Sequence, residues 1–100
     1  MKVIAIGTLK AYWKRNPKAE APLKAWYDEA KKATWKTPQD IKNAYRSASF
    51  IANNRVIFNI KGNDYRLVVA IAYQLGIAYI KFVGTHAEYD AIDAETIEVD

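Results

Sequence analysis

The feature that most constrains this chain is a set of three apolar segments, rich in β-branched residues, that follow one another with very short links. The segments cover about residues 55–61, 64–73 and 77–84, and the links contain Gly62-Asn63 and Leu75-Gly76. Glycine and asparagine readily adopt the backbone conformation of tight hairpin turns. Links this short join antiparallel neighbouring strands. The sequence therefore predicts an antiparallel β-meander in the C-terminal half of the chain.

The N-terminal end of the chain predicts a short strand and then a helix. Residues 2–6 are apolar and mostly β-branched, as expected for a strand. The following helix is predicted over about residues 8–16, with Thr8 as its N-cap. Pro17 ends it, because the residue before a proline avoids helical backbone angles.

Two further helices are predicted before the meander. The first begins near Ala21, with Pro22 in its first turn, where the missing N–H costs nothing. The second opens at Thr37-Pro38, a cap followed by a first-position proline. Aromatic residues at helical spacing usually face a core, and this predicts a packing role for the three tryptophans, Trp13, Trp26 and Trp35. Helices followed by a meander predict an α+β fold in which N-terminal helices pack on an antiparallel sheet.

Length and composition limit the remaining possibilities. One hundred residues with 51% hydrophobic content predict a single domain over residues 1–100 that needs no stabilising metal or cofactor. The chain has no cysteine, which excludes disulfides and cysteine-ligated zinc. The apolar run at the N-terminus is too short for a signal peptide or a membrane span. These features predict a cytoplasmic protein without a membrane partner.

Charge is distributed unevenly along the chain. Residues 1–36 carry nine Lys and Arg against three Asp and Glu, and residues 37–66 carry five against two. Residues 67–100 carry one basic residue against six acidic ones. A basic body with an acidic tail indicates an anionic partner for the body, although lysines that only solvate helix surfaces would give the same pattern.

The predicted hairpin register assigns the polar residues of the meander to one face. Two-residue turns would place Asn59 opposite Arg66, Ala70 opposite Lys81, and Thr85 roughly opposite Arg66. Alternation along each strand then predicts a core face that contains Val56, Phe58, Ile60, Tyr65, Leu67, Val69, Ile71, Ile80 and Phe82. The opposite face is predicted to contain Asn59, Lys61, Arg66, Ala70, Tyr79 and Lys81, and so to form one cationic surface.

The segment after the last strand contains the one histidine of the chain. Thr85-His86-Ala87-Glu88 has the Ser/Thr-x-x-Glu form of a helix capping box, which predicts a short C-terminal helical turn. Such a turn would bring His86, Tyr89 and Asp90 to the rim of the cationic surface. An ordinary capped turn with a surface histidine is the alternative at this point.

These side chains suit the chemistry of a phosphodiester. Arg66 and Lys81 are able to stabilise charge on a phosphate, and histidine is the side chain that changes protonation near neutral pH. Tyr89 offers a ring on which an unpaired base can stack. RNA supplies its own nucleophile, the 2′-OH, so that a metal is not required.

Two segments of the sequence together resemble a known family. They are Gly62-Asn63-Asp64-Tyr65-Arg66-Leu67 and Thr85-His86-Ala87-Glu88-Tyr89-Asp90, within the runs 56–69 and 79–90. With Leu23-Lys24-Ala25-Trp26 and Trp35-Lys36-Thr37-Pro38, they resemble the HigB toxins, RelE-like members of type II toxin–antitoxin systems. The resemblance covers nearly the whole chain.

The resemblance implies a small RelE-like α+β fold and the function of a toxin that inhibits translation. The implied activity is that of an mRNA interferase, which cleaves mRNA on the ribosome without metal or cofactor through 2′-OH attack. The implied partners are a HigA-type helix-turn-helix antitoxin and, only through that complex, operator DNA. The implied catalytic residues are Arg66, His86, Lys81 and Tyr89, with Lys61 and Asp90 binding substrate. The predicted register adds Asn59, opposite Arg66, to the substrate-binding residues.

Two other functions remain open at this point. A non-catalytic module that binds RNA or the ribosome could use the same cationic face. An interaction domain whose basic groove receives an acidic peptide would also fit the charge pattern.

Overall fold

A computed structural model of the protein describes residues 1–99. The helices are α1 (Ile6–Arg15), α2 (Pro17–Lys32), α3 (Pro38–Ala44) and α4 (His86–Asp90). The strands are β1 (Lys2–Ile4), β2 (Ser49–Ile51), β3 (Arg55–Ile60), β4 (Tyr65–Ala72) and β5 (Ile77–Thr85). This order of helices, meander and short C-terminal helix confirms the predicted α+β class.

Two predicted helix starts were wrong. Helix α1 begins at Ile6 rather than after Thr8, with Ala5 in the left-handed region at its N-cap. Helix α2 begins at Pro17 rather than near Ala21, so Pro22 lies inside it. An interior proline costs about 3 kcal/mol. The earlier start adds Ala19, one turn before Leu23, to the buried stripe of the helix.

The strands form one sheet in the order β1-β5-β4-β3-β2. Strands β2 to β5 are antiparallel neighbours, and β1 pairs in parallel with β5 at one edge. A parallel partner requires a long crossover, and the three N-terminal helices lie within the crossover that separates β1 from β5.

The register of the first hairpin agrees with the prediction. Asn59 pairs with Arg66 and Ile60 with Tyr65. Lys61 and Gly62 both have positive φ, of 53° and 65°, which is the conformation that closes tight hairpins and that glycine adopts without strain.

The predicted register of the second hairpin was wrong for two reasons, a turn longer than two residues and a β-bulge further along the strands. Ala72 pairs with Ile77 across a longer turn, Val69 pairs with Ile80, and Val68 then pairs with Phe82. Lys81 is the extra residue of the bulge, which changes the side-chain alternation that follows it. Phe82 therefore leaves the predicted core face and packs on the opposite face, and Arg66 pairs with Gly84 instead of lying opposite Thr85.

The helices cover one face of the sheet and bury the main core. Trp26 and Phe58 are almost fully buried there, with their ring centroids 5.3 Å apart. Trp35 is buried and Trp13 packs against the core, so the predicted packing role of all three tryptophans is confirmed. Except for Phe82, the residues predicted for the core face lie in this cluster.

The second face of the sheet is partly covered by the C-terminal segment. After α4 the chain turns back, and Ala94 packs with Ile57 and Val68 in a smaller apolar cluster that also touches Phe82 and Tyr89. We call residues 91–99 the tail. The predicted open cationic face is therefore divided, because the tail occupies its middle.

Candidate active site

Helix α4 begins at the end of β5 with the capping box that the sequence predicts. The backbone N–H of Glu88 donates to the Thr85 hydroxyl at 3.1 Å, and the backbone N–H of Thr85 donates to Oε1 of Glu88 at 2.7 Å. These hydrogen bonds hold the carboxylate in its charged form and lower the pKa of Glu88. The box sets the position at which His86, Tyr89 and Asp90 leave the sheet.

Two side chains of α4 contact each other one helical turn apart. Nδ1 of His86 lies 3.2 Å from Oδ2 of Asp90, and both side chains are exposed to solvent. A carboxylate in this position favours the tautomer with hydrogen on Nδ1, which leaves Nε2 able to accept a proton. The pair therefore has the form of an oriented acid–base group.

Arg66 lies against the ring of Tyr89. The guanidinium carbon is 5.1 Å from the ring centroid, within the range of a cation–π contact. Across the strand Arg66 pairs with Gly84, and a Cβ there would meet Phe82 Cζ at 2.6 Å. The absence of a side chain at this position lets the Phe82 ring and α4 lie close to the sheet.

Arg66 and its neighbour on β3 carry buried polar atoms without partners. Among residues 1–99, Nε of Arg66 and Oδ1 of Asn59 are buried and make no hydrogen bond, although Nδ2 of Asn59 donates to the Ser47 carbonyl at 3.3 Å. A buried donor and a buried acceptor left unpaired each cost free energy. Both atoms lie beneath the surface, on paired residues of β3 and β4.

Lys61 lies in the turn of the first hairpin, at the end of the sheet where β5 passes into α4. Its Nζ is 3.8 Å from Oδ2 of Asp64, and the two side chains are largely exposed. An exposed pair of this kind contributes little energy, so that Lys61 can exchange this partner for another anion.

Lys81 is held apart from the group around Arg66, contrary to the predicted single surface. It is three residues before Gly84 on β5, a separation of about 10 Å along a strand. Its Nζ makes a 2.7 Å ion pair with Glu98 of the tail, and its side chain is 21% exposed. The β-bulge and the tail thus give Lys81 a carboxylate partner that the hairpin register alone did not predict.

Arg55 is a site residue that the sequence reasoning missed. It is 5% exposed, and its guanidinium donates to the carbonyls of Ala94 at 3.0 Å and Ile97 at 2.6 Å. It also pairs with Glu98 at 3.0 Å. The hydrogen bond from Lys81 and the positive charges of Lys81 and Arg55 lower the pKa of Glu98. The excess of acidic residues after position 67 was the one signal that pointed to such a contact.

The described part of the chain holds no group of three or more His, Asp or Glu side chains arranged to bind a metal ion. Of the residues predicted for the site, Arg66 contacts Tyr89, His86 contacts Asp90, and Asn59 lies across from Arg66. Lys61 and Lys81 lie outside these contacts, each paired with an acidic residue.

A sequence model of the HigB toxin family, described as the RelE-like toxic component of a toxin–antitoxin system, matches residues 19–92. This span includes most of the helical layer, the whole meander and α4. The chain belongs to the HigB toxin family. The family expected from the sequence resemblance is therefore confirmed, and with it the role of a toxin that has an antitoxin partner.

Individual HigB proteins align with almost the entire chain. They include the mRNA interferase toxin HigB of Escherichia coli strain K12 and the mRNA interferase HigB proteins of Escherichia coli O157:H7 and Shigella flexneri. Each is 28% identical over 96 residues, which are 94% of this chain and 92% of the relative. The names of these relatives agree with the mRNA interferase activity that the sequence resemblance implies.

No helix within residues 1–99 has the length and apolar character needed to cross a membrane.

Proposed function

We propose that this HigB-family chain is an endoribonuclease toxin that cleaves mRNA and thereby inhibits translation. Family membership and the names of the aligned relatives support the activity. The contacts of Arg66 with Tyr89 and of His86 with Asp90 support the location of the reaction at the start of α4. Residues 1–100 act in this proposal as one toxin domain.

The observation that carries the proposal is the guanidinium of Arg66, which has a buried Nε without a partner and lies over Tyr89 of the short helix that also carries the His86–Asp90 pair. No carboxylate among the described residues pairs with Arg66, so its guanidinium keeps its charge and its hydrogen-bond donors for a ligand. The guanidinium carbon lies over the Tyr89 ring, 5.1 Å from its centroid. An arginine in this state fits the planar array of oxygens on a phosphate.

The proposed reaction uses the RNA as its own nucleophile. The 2′-oxygen of one nucleotide attacks the adjacent phosphorus, the 2′-O–P bond forms, and the P–O5′ bond breaks. A base accepts the 2′-OH proton and an acid returns a proton to the leaving 5′-oxygen, so that the products are a 2′,3′-cyclic phosphate and a free 5′-OH. Arg66 stabilises the charge that develops on the phosphoryl oxygens, and His86 transfers one of the two protons.

The remaining site residues bind or orient the RNA. Tyr89 stacks on a base or orients the RNA, while Asp90 holds His86. Asn59 and Lys61 bind the RNA next to the scissile phosphate. Lys81 is proposed to contact a phosphate, for which the phosphate must replace Glu98 as its partner.

The biological setting proposed for this reaction follows the family. The substrate is mRNA bound to the ribosome, and cleavage takes place in the cytoplasm, where messages are translated. The antitoxin is of the HigA helix-turn-helix type, and operator DNA is bound only through the toxin–antitoxin complex.

The test is cleavage of an mRNA during in vitro translation, mapped by primer extension with wild type and Arg66→Ala side by side. Removing one donor to the developing charge is expected to lower cleavage about 10²–10³-fold. Lys32→Ala is the matched control, because Lys32 is an exposed cation in the last turn of α2, on the helical side of the molecule. This control removes one positive charge and should cleave as wild type does.

The outcomes separate the proposal from its alternatives. Cuts that require Arg66 support the endoribonuclease. Inhibition of translation without cuts would instead indicate a module that only binds RNA or the ribosome. A protein that binds an acidic peptide and leaves translation unaffected would contradict both. Omitting ribosomes from the same reaction tests the ribosome dependence by itself.

A further inference from the structure

A tyrosine on α1 joins the N-terminal helices to the helix that carries the proposed acid–base group. The hydroxyl of Tyr12 donates to Oε1 of Glu88 at 3.2 Å, across 76 positions of sequence. The same oxygen accepts the backbone N–H of Thr85 at 2.7 Å, which is the reciprocal bond of the capping box. Tyr12 therefore contacts the atom that fixes the first turn of α4.

The Tyr12 ring is itself held in one position. It is 4% exposed, and it packs edge-on against Tyr65 with ring centroids 6.0 Å apart and an interplanar angle of 81°. Tyr65 pairs with Thr85 across β4 and β5. Tyr12 thus packs on the sheet next to the start of α4, and this packing restricts the direction of its hydroxyl.

The hydroxyl remains a hydrogen-bond donor at the pH of the cell. Burial, with the nearby charge of Glu88 as a second cause, raises the pKa of Tyr12 to about 12. The capping hydrogen bonds, of which the Thr85 N–H is the largest cause, lower the pKa of Glu88. A protonated phenol and a charged carboxylate form a charge-assisted hydrogen bond, which is stronger than a neutral one.

Gly84 adds a second, independent constraint on the same helix. A Cβ on Gly84 would lie 3.1 Å from Cβ of Glu88 as well as 2.6 Å from Phe82 Cζ. The end of β5 is therefore shaped so that α4 packs closely against it. The Tyr12 hydrogen bond and the close approach at Gly84 therefore both act on the first turn of α4, at Glu88.

We propose that Tyr12 is a positioning residue for mRNA cleavage, which acts through Glu88 to hold α4, and with it His86 and Tyr89, against Arg66. Tyr12 touches neither RNA nor a reacting atom in this proposal. Its effect is on the geometry between the proposed proton-transfer group and the proposed phosphate-binding group. The inference rests on the proposed active site and extends it to a residue of the N-terminal helical layer.

The experiment compares Tyr12→Phe with wild type in the translation-coupled cleavage assay and in NMR. Phenylalanine keeps the ring packing and removes only the hydroxyl. Small displacements of reacting groups lower rates strongly, so kcat is expected to fall about ten- to a hundredfold with KM little changed. His86 is the one histidine of the chain, so its imidazole resonances are assigned without ambiguity and are expected to shift.

Two further variants test the path through Glu88. Glu88→Gln keeps an oxygen that accepts both hydrogen bonds and is expected to retain most activity, whereas Glu88→Ala removes the capping bond as well and is expected to lose at least as much as Tyr12→Phe. The double variant with Tyr12→Phe and Glu88→Ala should lose no more than Glu88→Ala alone, because the Tyr12 hydroxyl acts only through the Glu88 carboxylate. Additive losses would overturn the proposal.

The control for loss of a tyrosine hydroxyl is Tyr73→Phe. Tyr73 also packs against the main core, but it lies in the turn after β4, at the end of the sheet away from α4. If Tyr12→Phe and Tyr73→Phe lose equal activity, in step with their melting temperatures, Tyr12 is only structural and the proposal fails. An unchanged His86 spectrum in Tyr12→Phe also overturns it.

The two readouts separate this inference from the proposed function. If wild type cleaves mRNA but Tyr12→Phe has wild-type kcat, the inference fails and the function stands. If wild type produces no cuts, the proposed function fails. A shift of the His86 resonances in Tyr12→Phe, with none in Tyr73→Phe, then still supports the positioning of α4 by Tyr12.

Discussion

The second face of the sheet has two ends that look alike in sequence and differ in structure. At the α4 end, Arg66 makes a cation–π contact with Tyr89 and has no carboxylate partner among residues 1–99. At the bulge end, Lys81 and Arg55 share the carboxylate of Glu98. Each end presents a basic side chain from a strand to the same side of the sheet, yet within the described residues the strand cation at the first end has no carboxylate partner and those at the second do.

The difference shows that a cation in a predicted register is not by itself a binding site. What decides its availability is whether an acidic group of the same chain reaches it. Lys81 is satisfied by the tail, and its attraction for another anion is reduced by the cost of leaving Glu98. Arg66 breaks no ion pair with a described residue when it binds an anion. The expected effects of mutation at the two ends therefore differ.

The largest expected effect is the loss of the proposed proton-transfer group at the α4 end. His86→Gln should lower kcat for mRNA cleavage by about 10²–10⁴-fold, because a positioned general acid or base contributes a factor of this size. Lys81→Ala, at the other end, should lower it by much less, because this lysine begins from an ion pair. Primer extension measures the cleavage rate of both variants. Equal losses of kcat in His86→Gln and Lys81→Ala would contradict the distinction between the two ends.

An intermediate effect is expected on stability at the bulge end. Arg55→Met leaves the carbonyls of Ala94 and Ile97 without their donor, which should lower the free energy of unfolding by about 1–3 kcal/mol. Urea unfolding measures this change, and Arg46→Met, at an exposed position after α3, is the control. Cleavage by the folded molecules should persist. A variant that is stable but inactive would place Arg55 in the reaction instead of under the tail.

The smallest expected effect is the release of Lys81 from the tail. Glu98→Gln removes the competing charge and should strengthen binding of mRNA by less than about fivefold, since exposed ion pairs are weak. The gain should disappear at high salt. Glu95→Gln is the matched control, because its side chain is exposed in the same tail. Weaker RNA binding by Glu98→Gln would mean that Glu98 supports Lys81 rather than competes for it.

The same variant gives a pH test with a defined sign. The lowered pKa of Glu98 means that its ion pairs stabilise the fold above the usual carboxyl range and are lost as pH falls through the lowered value. The stability difference between wild type and Glu98→Gln should therefore be present at neutral pH and vanish in strong acid. Denaturation midpoints measured across this range check it.

Local chemistry made much of the fold predictable. The α+β class, the first hairpin register, the Thr37 cap and the capping box at Thr85 follow from residues within a few positions of one another. The toxin family was likewise evident from two short segments and is confirmed. The helix start at Pro17 was missed because two prolines five positions apart are both compatible with a first turn, and only packing of Ala19 selects between them.

The candidate site was predictable in part. The chain by itself determined that His86, Tyr89 and Asp90 share one short helix and that Asn59 faces Arg66, because hydrogen bonds between near neighbours specify both. The bulge at Lys81, the buried role of Arg55 and the pairing with Glu98 were not predictable from any local pattern. Only the tertiary structure decided them. The bulge belongs to the pairing of β4 with β5. The other two depend on where the tail packs, which is set by apolar contacts between residues about 26 to 37 positions apart, such as Ala94 with Ile57 and Val68.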